Sequence, residues 1–112
     1  MKKITIYTGP FCNYCDAAKR LLARNNAPYN EIDISKVEGA MDEMIKKANG
    51  KRTIPQIFFD DEHIGGYDET RALEKENKLI EKLNNWSITL VFIVLINKLL
   101  KKYNNKKEYK DF

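Results

Sequence analysis

Apolar positions change their spacing along the chain, and the spacing sorts it into elements. Ile4, Ile6 and Tyr7 form a short run halted by Gly9-Pro10, which predicts a buried strand over 4–7. From Tyr14 to Asn26 the period lengthens, with Ala17, Ala18, Leu21 and Leu22 on one helical face. Asn25-Asn26-Ala27-Pro28 breaks that helix. Tyr29, Ile32 and Ile34, with Glu31 and Asp33 between them, predict a second strand. A second amphipathic helix is expected from Val37 to Ala48, using Met41, Met44 and Ile45, and closed by Asn49-Gly50. Ile54-Pro55-Gln56-Ile57-Phe58-Phe59 predicts the most buried strand. Asp60-Asp61 turns the chain, and Glu62-His63-Ile64 returns as its hairpin partner. After Gly65-Gly66, Asp68 is expected to cap a third helix to Leu83, with Leu73, Leu79, Ile80 and Leu83 inside.

The order βαβαββα argues for an α/β or α+β sheet covered by helices. At 112 residues, with 43% hydrophobic and 32% charged positions, the chain has the composition of one small globular domain. That composition excludes a collagen-like, mucin-like or mostly disordered chain. The net charge of +4 changes the picture only once it is divided. Residues 1–85 carry 14 Lys/Arg against 14 Asp/Glu, so they are neutral. Residues 86–112 hold six Lys against Glu108 and Asp111. The body therefore has no basic footprint for nucleic acid. Two regions are expected: a domain over 1–85 and an apolar, then Lys-rich, extension over 86–112.

The extension is nearly all apolar from Trp86 to Ile96, reaching Leu100 if Asn97 and Lys98 are tolerated. About 15 helical residues span roughly 22 Å, short of the roughly 30 Å bilayer core. Crossing would also oppose the positive-inside tendency if the domain faces the cytosol. A surface-lying helix over 86–107, with Lys101, Lys102, Lys106 and Lys107 toward anionic lipid, is one reading. The others are a terminal helix packed on the domain or a partner with a frayed basic end, a non-native or read-through extension, and a membrane-spanning segment.

Cys12 and Cys15, spaced C-x-x-C, are the two cysteines. No apolar h-region follows Lys2-Lys3, so a secretory leader is not expected and the reducing cytosol is the default compartment. There, two close cysteines point to redox or metal chemistry rather than to a staple. Zinc needs about four ligands, and the only other candidate of the usual kind is His63, so no metal site is expected. The pair falls between a strand and the start of a helix. Free N–H groups and the helix dipole would stabilise a Cys12 thiolate and lower its pKa. Cys15, one turn on, would be the less exposed resolving thiol. Lys19 and Arg20 add positive charge, which Asp16 opposes. Pro55 is odd at the entry of a central strand, because it removes a ladder donor. Either a cis peptide that presents the Ile54 backbone to an extended peptide, or an ordinary edge-strand proline, would account for it. Gly65-Gly66-Tyr67-Asp68 reads either as a turn with a helix cap or as a carboxylate site at a helix N-terminus. In the second reading Asp68 would also accept from an α-ammonium.

Taken together, Tyr7-Thr8 through Cys12-Asn13-Tyr14-Cys15, Lys51-Arg52-Thr53-Ile54-Pro55-Gln56-Ile57-Phe58 and His63-Ile64-Gly65-Gly66-Tyr67-Asp68 resemble a glutaredoxin of the thioredoxin superfamily. Tyr14 inside the motif favours this family over thioredoxin. The resemblance implies a thioredoxin-like fold, a central four-stranded mixed sheet flanked by helices, and a monomer. It implies a dithiol oxidoreductase using glutathione on protein disulfides and glutathionylated proteins, with Cys12 as nucleophile and Cys15 resolving. Glutathione would pair with Ile54 beside cis-Pro55, place its γ-glutamyl end on Gly66, Tyr67 and Asp68, and lie along Tyr14 and Thr53. Three positions depart from the family pattern. Asn13 replaces a common Pro, Gly9 replaces a common Lys, and Met41 or Asp42 stands where a basic or amide residue is frequent. Lys51, Arg52 or Gln56 would then hold the glycine carboxylate. Asn13 also leaves open a glutathione-ligated [2Fe–2S] carrier with Cys12 as ligand. A redoxin served by thioredoxin reductase is the third reading.

Overall fold

The computed structural model describes residues 1–84, 93 and 95–101. Eight elements follow one another: β1 (Ile4–Thr8), α1 (Asn13–Arg24), β2 (Tyr29–Asp33), α2 (Ala40–Lys47), β3 (Gln56–Phe59), β4 (Glu62–Gly65), α3 (Tyr67–Lys75) and α4 (Leu79–Asn84). The strands form one mixed sheet in the order β2-β1-β3-β4. β1 and β2 are parallel, with Ile4 opposite Tyr29, and α1 supplies the crossover that a parallel pair needs. β3 runs antiparallel to β1, with Ile6 opposite Ile57, and β4 is antiparallel to β3.

Side-chain alternation divides the core between the two faces of the sheet. Ile4, Ile6, Ile57 and Phe59 pack with Ala18, Leu21 and Leu22 of α1 and Leu79 and Leu83 of α4. Tyr7 and Phe58 point the other way, onto Met44 and Ala48 at α2. The chain thus folds as a helix-covered, four-stranded thioredoxin-like sheet. Both α1 and α3 begin beside the loop that precedes β3, so two helix N-termini converge on one place.

Several boundaries differ from the sequence expectations. α2 begins at Ala40, not Val37, because the Asp33 carboxylate accepts from Ser35 N (2.8 Å) and Ser35 Oγ (2.6 Å) and holds a turn there. Met41 consequently faces solvent at 43% exposure. The single third helix is two helices. Asn77 takes φ 57°, the left-handed conformation that ends helices, and α4 starts afresh at Leu79. The restart leaves Ile80 41% exposed. Gly66, not Asp68, is the N-cap of α3. β3 begins at Gln56, after a cis Ile54–Pro55 peptide, so the proline precedes the ladder instead of interrupting it.

The apolar run of 86–96 and the basic residues of 102–107 lie largely outside the described residues. Within them, 95–101 is helical, with Leu95, Ile96, Leu99 and Leu100 exposed. No helix of the described residues is long and apolar enough to cross a membrane.

Candidate active site

Cys12 is the N-cap of α1, with extended backbone (φ −116°, ψ 99°). Its Sγ accepts from the Cys15 N–H at 3.1 Å, the place a capping Ser or Asp oxygen would take. A sulfur that receives a helix N-terminal amide is stabilised as thiolate by that donor and by the helix dipole. Cys12 and Cys15 are joined as a disulfide, with Cα atoms 5.2 Å apart. Cys15 is buried at 1% exposure, whereas Cys12 is half-buried. An incoming disulfide can therefore reach Cys12 and not Cys15. Lys19 does not add to this electrostatic support as expected: its Nζ is held by Glu31 at 2.9 Å and lies 3.5 Å from Asp16.

The loop before β3 forms the second wall. Ile54 O lies 3.9 Å from Cys12 Sγ. The loop is tied from below by Gln56, whose Nε2 donates to Thr53 O (2.9 Å) and Thr53 Oγ1 (3.0 Å). His63, on β4, has its Nε2 2.6 Å from Gln56 Oε1 and its ring against Phe58. Among the described residues, no three of His, Cys, Asp or Glu gather where they could hold a metal ion.

The third wall is the start of α3. A Cβ on Gly66 would stand 3.2 Å from Pro55 O, so glycine lets the helix N-terminus close onto the loop. Gly65 takes φ +123°. The Gly66 N–H is already used, donating to Glu69 Oε2 at 3.1 Å. The amides open at this helix start are therefore those of Tyr67, Asp68 and Glu69, ahead of the first helical bond from Thr70 N to Gly66 O. Glu69 is the contributor that sequence reasoning missed. Its signal was a capping-box spacing, Gly66-x-x-Glu69, hidden because the cap is glycine rather than Ser or Thr.

These walls enclose a groove of about 300 Å³. It is lined by Tyr14, Thr53, Ile54, Pro55, Gly66, Tyr67 and Asp68, all seven expected, joined by Lys51, Gln56 and Glu69. Tyr14 and Tyr67 face each other with ring centres 6.0 Å apart. Of the three residues considered for a carboxylate, Lys51 lines the groove and Arg52 is not among its lining residues. Gln56 is buried and its amide is committed to Thr53 and His63. A Cβ at Gly9 would lie 2.7 Å from Ile54 Cδ1, so a side chain at that position requires the Ile54 tip to shift. The Ile54 side chain occupies that room.

The sequence model of the glutaredoxin family matches residues 4–64. Glutaredoxin 1 of Rickettsia conorii is 45% identical over 83 residues, covering 73% of this chain and 81% of that protein. The solution structure of glutaredoxin from Brucella melitensis superposes with a TM-score of 0.65 at 47% identity, covering 74% of this chain and 89% of the other. A buckwheat glutaredoxin–glutathione complex superposes with a TM-score of 0.67 at 26% identity, covering 75% and 78%. With a half-exposed cysteine capping a helix, a buried partner one turn on and these relatives, the chain belongs to the glutaredoxin family and is a thiol–disulfide oxidoreductase.

Proposed function

We propose that the chain reduces glutathione mixed disulfides and protein disulfides at the expense of glutathione. The observation that carries this reading is the groove: it begins next to Cys12 and ends on a helix N-terminus bearing a carboxylate. A γ-glutamyl group carries both an α-carboxylate and an α-ammonium. The amides of Tyr67 and Asp68 suit the first and the Asp68 carboxylate suits the second. Between them, Ile54 offers its main chain to an extended peptide beside the sheet, and Tyr14 and Thr53 flank it. Lys51 is the groove's cation for the glycine carboxylate, although Glu69 Oε1 shares it at 3.9 Å.

The chemistry balances without further groups. The Cys12 thiolate attacks the glutathione sulfur of a mixed disulfide, forms Cys12–S–S–glutathione, and releases the substrate thiolate. A second glutathione thiolate attacks the glutathione sulfur of that bond, freeing Cys12 and leaving glutathione disulfide. With a protein disulfide, Cys12 forms the mixed disulfide and the Cys15 thiolate then attacks Cys12 Sγ. The substrate's second thiol is released, and the Cys12–Cys15 bond of this structure remains for two glutathiones to reduce. Such a cycle belongs in a compartment rich in reduced glutathione, which accords with the cytosol, and it needs one copy of the chain.

The test is turnover of a glutathionylated peptide with glutathione, glutathione reductase and NADPH. Cys12→Ser is expected to abolish it, and Cys15→Ser to keep mixed-disulfide turnover while losing protein-disulfide reduction. Turnover supported by thioredoxin reductase and NADPH but not by glutathione would overturn the proposal.

A further inference from the structure

We propose that His63 is a positioning residue for the groove: donating from Nε2 to Gln56 Oε1, it fixes the Gln56 amide that holds the Thr53–Ile54 segment against Cys12. The orientation of the amide follows from its partners. A carbonyl oxygen only accepts, so the atom 2.9 Å from Thr53 O must be Gln56 Nε2. The Gln56 oxygen then faces His63 at 2.6 Å, and the imidazole must present an N–H there. Gln56 is 2% exposed, and no buried side-chain polar atom among the described residues lacks a partner. With the His63 donor gone, no water reaches Gln56 Oε1 easily, and the amide is driven to rotate and release Thr53. Thr53 adjoins Ile54, whose carbonyl oxygen is 3.9 Å from Cys12 Sγ.

His63 is itself held on two sides. Its ring lies on Phe58, with centres 5.0 Å apart and planes tilted by 31°. Lys51 of the loop and Glu69 of α3 are the charged groups facing it. Burial, followed by Lys51, holds its pKa below the ordinary value, and Glu69 opposes them. The ring is therefore neutral near neutral pH, with its proton on Nε2. The imidazolium would donate from the same atom, so the tie does not open on acidification.

The proposal rests on the glutathione reading only for its kinetic readout. In the reduced full chain, imidazole ¹⁵N shifts are expected to show Nε2 protonated and Nδ1 bare, and the Gln56 side-chain amide to be protected from solvent exchange. His63→Phe keeps a ring on Phe58 and removes the donor. It is expected to erase Gln56 protection and raise KM for a glutathionylated peptide roughly three- to tenfold. It should leave kcat and the alkylation rate of Cys12 within about twofold, since the helix N-terminus is untouched. His63→Gln places an amide N–H at the same distance from the backbone as Nε2, and is expected to restore both signals. An Nδ1–H tautomer, or a His63→Phe variant with wild-type KM and intact Gln56 protection, would overturn the proposal. If His63→Phe does not fold, the wild-type tautomer and the His63→Gln kinetics decide it. If wild type fails to turn over the glutathionylated peptide, the glutathione reading is lost while the two spectroscopic readouts still judge the tie.

Discussion

Gly65 and Gly66 are adjacent, yet their missing side chains do different work. At Gly65 the backbone has φ +123°, a region that L side chains rarely adopt, and a Cβ would also meet the Glu69 side chain at 2.8 Å. Gly66 has an ordinary extended backbone, and a Cβ there would press only on Pro55 O at 3.2 Å. Gly65→Ala is therefore expected to act on the fold, costing about 1–2 kcal/mol, measured by urea unfolding. Gly66→Ala is expected to cost less than about 1 kcal/mol of stability but to push α3 away from the loop. Its mark should be a several-fold rise in KM for a glutathionylated peptide with little change in kcat. The paired glycines were readable in the sequence as a close approach of backbones, and so were the six residues, Tyr14, Thr53, Ile54, Pro55, Tyr67 and Asp68, that line the groove with Gly66. The role of Gln56 was not. In the sequence it is one more amide near the site, and only the β3–β4 hairpin shows that its amide is already spent on Thr53 and His63.

Glu74 joins two helices by itself. From α3 it accepts from Arg24 Nε (2.9 Å) and Nη2 (2.6 Å) at the end of α1, from Asn25, and from Arg71 one turn back. The paired Arg24 guanidinium, helped by Asn25 and against the effect of burial, holds the Glu74 carboxyl down to about 2. Because the folded value lies below the ordinary carboxylate range, the folded state binds fewer protons than the unfolded chain across that interval. The stabilisation is present in full above about pH 4.5 and is lost as the pH falls toward about 2. Glu74→Gln is expected to cost about 1–2 kcal/mol near pH 7. The gap between wild type and variant should narrow steadily between those limits in chemical unfolding, whereas a gap unchanged with pH would assign the effect to packing. The kinds and order of the elements were readable because apolar spacing reports period directly. Their ends were not, wherever a polar side chain or a left-handed residue intervened. Asp33 and Ser35 delay α2 by three residues, and Asn77 cuts one expected helix into α3 and α4.

Over the whole chain, charge and core suggest the same place to divide the molecule, and both can be tested by truncation. The +4 charge lies entirely beyond residue 85, and the body before it is neutral. Yet the core reaches almost that far. Leu79 and Leu83 of α4 are 2% and 0% exposed among Ile4, Leu21 and Phe59, and Lys2 N donates to Leu83 O at 2.7 Å. A chain ending at Asn77 would lose both leucines. Each is worth about 2–5 kcal/mol by the cost of emptying a buried leucine site, against a total stability of about 5–15 kcal/mol for a small domain. That chain is expected to lose its cooperative thermal transition. A chain ending at Asn85 keeps every buried contact among the described residues up to Asn84, and is expected to melt cooperatively and to turn over a glutathionylated peptide within twofold of full length. The same pair of proteins tests the tail. If the lysines beyond residue 97 and the exposed Leu95, Ile96, Leu99 and Leu100 meet anionic lipid, full length will co-sediment with phosphatidylserine vesicles at low salt. The Asn85 chain will then stay in solution. Equal partition of the two would remove lipid from the account of the tail, and a loss of turnover in the Asn85 chain would draw residues 86–112 into the redox function itself.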